Sequence, residues 1–271
     1  DNRRGRVRNG LPALVRWLVA GEGLRPSSVP LAVTIVDIML GSDPGRSERR
    51  AAQELLSDIL LLGCSVGEYR TVVAALRGQL ALLGPREVDW LAGAMDVQLL
   101  NAVPEPRLRD EFCTEALGIA VSWFGRLSRT DAILLKSLFA DVGLEFGVPS
   151  DDDVAGASPR GLQSFACVGI YSLSESAAQN AGRWIGAKWP DVEVRLSHAH
   201  SNSSELESFV GASDVVLMQT SHAKHAATRA IENSIEEARL VRVNGRGATS
   251  LFRGLLDWAA SDAPRFGELV V

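Results

Sequence analysis

Through the first half of the chain apolar residues recur three and four positions apart. They do so in Leu11–Val19, Val29–Leu40, Ala51–Leu62, Val66–Leu83, Val88–Leu100, Leu108–Leu127 and Ala132–Phe146. That spacing places one apolar stripe on a 3.6-residue turn and predicts seven helices. Breakers separate them: Gly41-Ser42-Asp43-Pro44, Gly63, Gly84-Pro85 and Pro104-Glu105-Pro106. Ser47 is followed three residues on by Arg50, so it opens a helix without a capping box, whereas Pro85 suits a first helical turn. No fixed repeat period runs through the seven, so an all-helical interaction domain over residues 1–147 is expected rather than a solenoid.

From Val148 to Leu162 the chain is small, acidic and proline-bounded, as in Ser150-Asp151-Asp152-Asp153 and Ala157-Ser158-Pro159. This is the chemistry of a linker. Beyond it the period changes. Phe165–Tyr171, Val192–Leu196, Val215–Met218 and Leu240–Val243 read as short strands. Ser174–Trp189, Asn202–Val210, Ala223–Ile235 and Ala248–Ala259 read as the helices that follow them. Four strands each followed by a helix predict a parallel sheet with right-handed crossovers. Residues 163–271 are thus expected to form a small Rossmann-like α/β domain, and the whole chain an α plus α/β protein. Leu269-Val270-Val271 could extend the sheet by a fifth strand or exchange onto a neighbouring copy.

Composition narrows the function classes. With 46% apolar and 23% charged residues, the chain has ordinary globular composition. A net charge of −5 argues against nucleic acid as the main partner. Arginine supplies 25 of the 28 basic residues, a bias that GC-rich coding explains without any phosphate-binding role. Arg3, Arg4, Arg6 and Arg8 read as a solvated basic arm, and Trp17, Trp90 and Trp123 fall at apolar helical positions expected in the core. Cys64, Cys113 and Cys167 are too few and too scattered for a disulfide scaffold and suggest a reducing compartment. No stretch approaches the roughly 20 apolar residues of a membrane span, and no signal peptide is evident. The expected location is the cytoplasm.

The candidate chemistry gathers at the predicted carboxyl ends of the strands, where open parallel sheets bind ligands. All four histidines fall between positions 198 and 225. His198 and His200 follow the second strand; His222 and His225 follow the third, with Ser221 beside them. With strand order 2-1-3-4, the second and third strands flank the first, about 9.5 Å apart at twice the strand spacing. Imidazoles from both could then meet above its end. A helix start disfavours imidazolium, so His222 is expected neutral, the form that binds a metal, acts as a base or ligates haem. The four histidines are therefore the candidate metal ligands, although no Cys-x-x-Cys or His-Glu-x-x-His spacing accompanies them. Gly169 through Ser174 reads as the turn from the first strand into its helix. It lacks the later glycines of a dinucleotide fingerprint, but Ser172 and Ser174 could hold an anion or simply cap the helix. Gly245-Arg246-Gly247 after the fourth strand offers close backbone approach and a guanidinium clamp for a phosphate or carboxylate. Asp214 starts the third strand at the opposite end and reads as a turn residue.

Between Val168 and Trp258 these elements together resemble a bacterial domain-of-unknown-function family with a small Rossmann-like fold. The matching elements are Gly169, His198 and His200, Ala212-Ser213-Asp214, Ser221-His222 and Thr249-Ser250-Leu251. The chain departs from that pattern at Gly169-Ile170, where relatives carry two glycines. The resemblance implies haem as one cofactor, with His222 or a neighbour as axial ligand; a divalent metal is the other cofactor the histidines suit.

Two function classes follow. In the first, the chain is a ligand-sensing or adaptor protein. A small ligand (nucleotide-like anion, haem or metal) is held at a rim of Ser172, His198, His200, Ser221, His222, His225 and Arg246, while the helical domain engages a partner protein. In the second, the same histidines serve a metal-assisted hydrolase of a phosphorylated or nucleotide substrate, with Arg246 steadying charge. A third reading, a structural subunit, would use the rim as an interface, and self-association is compatible with all three.

Overall fold

The structure is a computed structural model and describes residues 2–20, 24–41, 43–147, 165–201, 203–220 and 225–261; the side chains of residues 2–9, 20, 225, 226 and 238 are not described. The chain divides into two compact units, Asp1–Gly147 and Val148–Val271. Residues 148–164, which contain the acidic linker-like stretch, and Leu269–Val271 lie outside the described residues.

The first unit holds helices α1 (Asn2–Ala20), α2 (Val29–Leu40), α3 (Arg46–Leu62), α4 (Val66–Leu80), α5 (Val88–Leu100), α6 (Pro106–Ser122) and α7 (Arg129–Ala140). The pattern placed all seven. Three details differ from it, each for a local reason. The arginine arm is not a separate tail, because Asn2–Ala20 is continuous helix, in keeping with arginine's good helix propensity. Helix α3 starts at Arg46, with Gly45 as N-cap and Glu48 Oε2 accepting the Gly45 N–H at 2.7 Å. The first-turn signal was thus Glu48 reaching back, not Ser47. Trp17 is 72% exposed, whereas Trp90 and Trp123 are buried. Helix α1 buries Leu11 and Val15 instead, and Leu14 stands exposed one turn before Trp17. Within the core, the Tyr69 hydroxyl donates to Gln98 Oε1 at 2.8 Å and Trp90 Nε1 donates to the Arg49 carbonyl at 2.9 Å, satisfying polar atoms that burial would otherwise strand.

The second unit is a four-stranded parallel sheet with alternating helices. Its elements are β1 (Cys167–Tyr171), α8 (Glu175–Lys188), β2 (Glu193–Ser197), α9 (Ser204–Gly211), β3 (Val215–Gln219), α10 (His225–Ser234), β4 (Leu240–Val243) and α11 (Ala248–Ala260). Strand order is β2-β1-β3-β4, and every pair is parallel. β1 and β3 are buried along their whole length, as expected of central strands covered on both faces. Tyr171, Val216, Met218 and Leu240 face a cluster formed with α9 and α10 through Leu206, Phe209, Ala227 and Ile231. The alternate residues face α8 and α11, which meet through Trp184 and Phe252 with ring centres 5.8 Å apart. The chain therefore leaves β1 towards one face and β3 towards the other, and the gap between these two strands is the sheet's switch point.

The far end of the sheet is fixed by Asp214. Its Oδ2 accepts the backbone N–H groups of Ala166 and Cys167, both at 2.9 Å. Arg239 Nε donates to the Asp214 carbonyl at 2.9 Å. These bonds set the β1–β3 register from below and give Asp214 a structural role.

Candidate functional site at the switch point

The site begins where β1 ends. Ser172 is wholly buried, and its N–H donates to the Ser197 carbonyl at 3.1 Å, which carries the β1–β2 ladder one residue past the strand. Its Oγ lies 2.5 Å from Gln219 Oε1 and accepts the Ser174 N–H at 3.0 Å. A hydroxyl has one proton to give. The Gln219 oxygen at 2.5 Å takes it ahead of the Ser174 carbonyl at 3.1 Å. Ser174 itself accepts from the Ala177 N–H and caps α8, so its hydroxyl is committed to the helix.

From the β2 side, His198 Nδ1 lies 2.5 Å from the Ser172 carbonyl oxygen. A carbonyl can only accept, so Nδ1 carries a proton and Nε2 is the ring nitrogen left for another partner. A histidine that ligates a metal commonly has its other ring nitrogen bound in this way. The same loop is tied a second time by Tyr171, whose hydroxyl donates to the Ala199 carbonyl at 2.9 Å. Burial pushes the Tyr171 phenol above its ordinary pKa, so it remains a donor throughout the neutral range.

From the β3 side comes Gln219, 3% exposed. Met218 faces α9 and α10, so by strand alternation Gln219 turns to the α8 and α11 face, as Ser172 does. Its Oε1 is held by Ser172, and its Nε2 is buried with no hydrogen-bond acceptor among the described residues. The neighbouring Thr220 closes the β3–β4 end: its N–H donates to the Val243 carbonyl at 3.0 Å, and its Oγ1 lies 3.1 Å from Asn244 Oδ1 and 3.2 Å from the same carbonyl. One hydrogen-bonded line therefore crosses the ends of three adjacent strands, from His198 through Ser172 to Gln219.

Of the residues singled out from the sequence, the structure brings Ser172 and His198 together. His200 is exposed in the loop beyond β2. Arg246 is half-buried in the β4–α11 loop and already engaged with other groups. Ser221 and His222 lie outside the described residues, and His225 opens α10 with its side chain outside them. Among the described residues no group of three or more His, Cys, Asp or Glu stands close enough to hold a metal ion. For haem or a metal, His198 Nε2 is the one described imidazole nitrogen whose partner ring nitrogen is fixed.

One glycine reading needs correction, and a second glycine has a packing role. Gly169 is not in the turn after β1 but in the middle of the strand. A Cβ there would stand 2.5 Å from Ser213 Oγ and 2.9 Å from Phe209 Cζ, so the missing side chain makes room for α9 and the turn leaving it. A Cβ on Gly245 would fall 1.7 Å from Ser250 Oγ, so that glycine serves the packing of its loop on the first turn of α11. Neither contact involves a ligand. Gln219 was missed altogether. The signal was there as a polar residue closing the apolar run Val215-Val216-Leu217-Met218, but its unpaired donor depends on where Ser172 stands, 47 positions earlier.

The second unit is thus a Rossmann-like, all-parallel α/β sheet with a polar line across its switch point. The family model described as DpdD-like matches residues 1–254. The chain belongs to the DpdD-like family, and the match runs through both compact units. No curated protein and no solved structure matches it. Among the described residues no helix is long and apolar enough to cross a membrane.

Proposed function

We propose that this DpdD-like chain is a ligand-sensing or adaptor protein. Its Rossmann-like unit binds a small, nucleotide-like anion at the ends of β1, β2 and β3, and its helical unit engages a partner protein. The observation that carries the reading is the line His198–Ser172–Gln219, which ends in a buried donor without an acceptor among the described residues. Buried amides are nearly always paired, and leaving one unpaired costs about 1–3 kcal/mol. Arg49 Nε and Gln79 Oε1 in the helical unit also lack a partner among the described residues, so what singles out Gln219 Nε2 is its place at the carboxyl end of a parallel strand. Trp17 and Leu14, exposed on successive turns of α1, support partner engagement by the helical unit.

Isothermal titration of the full chain with adenosine 5′-monophosphate tests the reading, with an absorption spectrum and metal assay of the purified protein run beside it. Saturable one-to-one binding that weakens at least tenfold in His198→Ala supports it. A Soret band or stoichiometric metal, with no nucleotide binding, replaces the anion with haem or metal as the ligand. A chain that binds none of the three refutes ligand sensing at this rim.

A further inference from the structure

We infer that Gln219 is the ligand-reading residue of this site and that what it reads is an oxygen of a phosphate ester. This rests on the ligand-sensing reading above and adds to it the atom that makes the contact and the chemistry it selects. Three observations converge. Gln219 closes β3 beside the switch point, with its amide turned to the face where α8 and α11 begin. Its Oε1 is taken by Ser172 Oγ at 2.5 Å, which fixes the rotation of the amide and leaves only Nε2–H to offer. That nitrogen is buried and has no acceptor among the described residues. A group held in this way is a donor and nothing else.

The surroundings favour an acceptor-rich partner. Among the described residues, Ser172, Ser174, His198, Gln219 and Thr220 at the ends of β1 to β3 carry no negative charge, and the first carboxylate beyond them is that of Glu175, exposed in the first turn of α8. The carboxylate of Asp214 is occupied at the opposite end of the sheet. A phosphate ester offers only acceptors on its non-bridging oxygens, and such oxygens are best bound by oriented N–H donors where water is scarce. Ser172 is the positioning residue. It does not offer its own proton to the ligand, since Gln219 holds it, but it decides which way the amide points.

This arrangement has a signature that a structural role does not share: the residue that binds should also be the residue that destabilises. Replacing Gln219 by Met keeps the volume and removes the orphan donor. Ser172 Oγ is not stranded by the change, because the Ser174 carbonyl lies 3.1 Å away as a second acceptor. Ligand-free Gln219→Met should therefore melt about 2–4 °C higher than wild type. The same variant should bind phosphate esters at least tenfold more weakly. Ser172→Ala, which frees the amide to rotate, should also weaken binding at least tenfold, without the gain in Tm.

The experiment is calorimetric titration and thermal unfolding of the full chain and both variants. The probes are inorganic phosphate, adenosine 5′-monophosphate and adenosine. Binding of adenosine 5′-monophosphate but not adenosine, lost in Gln219→Met together with a raised Tm, establishes the inference. Inorganic phosphate then separates the two sources of the oxyanion: if it also binds, the free ion suffices, and if not, the ester is required. Equal binding of adenosine and its monophosphate overturns the choice of phosphate. Undiminished binding by Gln219→Met, or a Tm that falls, overturns Gln219 as the reader while leaving ligand sensing intact. If that variant does not fold, Ser172→Ala decides the matter by the same affinity criterion. Failure of the wild-type chain to bind any probe overturns the phosphate-ester inference and removes the anion from the ligand-sensing reading, which then rests on the Soret and metal assays alone.

Discussion

Gly169→Ala separates a packing role from a ligand role at the centre of β1. The added methyl carbon would lie 2.5 Å from Ser213 Oγ, 2.9 Å from Phe209 Cζ and 3.0 Å from Ser213 Cβ. Ser213 and Phe209 are 1% and 8% exposed, so neither can retreat into solvent. Ser213 Oγ also donates to the Phe209 carbonyl at 2.8 Å, a bond that ties the end of α9 and would be strained by the push. Overpacking of a filled core costs about 1–3 kcal/mol, and weakening a buried hydrogen bond adds about 1 kcal/mol. Against these stands a gain of up to about 1 kcal/mol from the smaller entropy of an unfolded chain with alanine in place of glycine. The balance is a loss of about 2 kcal/mol, or about 8 °C in Tm for a unit of this size. Thermal unfolding by circular dichroism reads the loss, and hydrogen exchange of peptides covering 165–171 and 213–219 locates it. Adding Ser213→Gly removes two of the three contacts and should return about 1 kcal/mol as a favourable coupling in a double-mutant cycle. If Gly169→Ala is as stable as wild type but binds ligand poorly, the packing argument is wrong and the glycine serves backbone approach after all.

Other expectations can be checked with the same protein. Trp17→Ala should change stability by no more than about 0.5 kcal/mol, whereas Trp90→Ala should cost about 3–5 kcal/mol, because Trp17 is 72% exposed and Trp90 is buried with its indole N–H bonded to Arg49; urea unfolding of the two variants distinguishes them. Tyr171→Phe removes the bond to Ala199 and should cost about 1 kcal/mol, seen as faster hydrogen exchange confined to residues 198–201. Burial pushes the Cys113 thiol up to about 12 and raises Cys167 and Cys64 above the ordinary thiol range. A thiolate-specific reagent at pH 8 should therefore leave Cys113 and Cys167 unmodified in the native chain and label Cys64 slowly; rapid labelling of Cys113 without unfolding would contradict its placement.

How much of this was readable from the sequence depends on how local each determinant is. The change from a three-to-four spacing to short apolar runs is carried by neighbouring residues, and it placed seven helices and then four strands with their helices. Leu240–Val243 falls on β4 residue for residue. The observed order β2-β1-β3-β4 is the one assumed in placing the histidines, since handed crossovers alone leave the order open. What escaped is decided by contacts between distant positions. Gly169 looks like a turn glycine until Phe209 and Ser213 are brought against it. Trp17 looks like a core residue because α1 carries apolar side chains on more than one side, and only the packing of Leu11 and Val15 shows which side is buried. Gln219 is an unremarked amide until Ser172 takes its oxygen.

These contacts move the weight of the candidate site. Four histidines in two loops made imidazole the natural centre of any chemistry, but the described imidazole that reaches β1, His198, spends Nδ1 on holding the Ser172 carbonyl. That bond, with the Tyr171–Ala199 bond beside it, makes the β2 loop a brace for the end of β1. On the β4 side, Gly245 packs on Ser250 and Arg246 is already engaged with other groups. Between these flanks lies the Gln219 amide, whose Nε2 is buried without an acceptor among the described residues. A protein whose stability is only about 5–15 kcal/mol seldom keeps such a group for nothing. The physical case for ligand recognition thus runs through Ser172 and Gln219, with His198 as the residue that holds them in place.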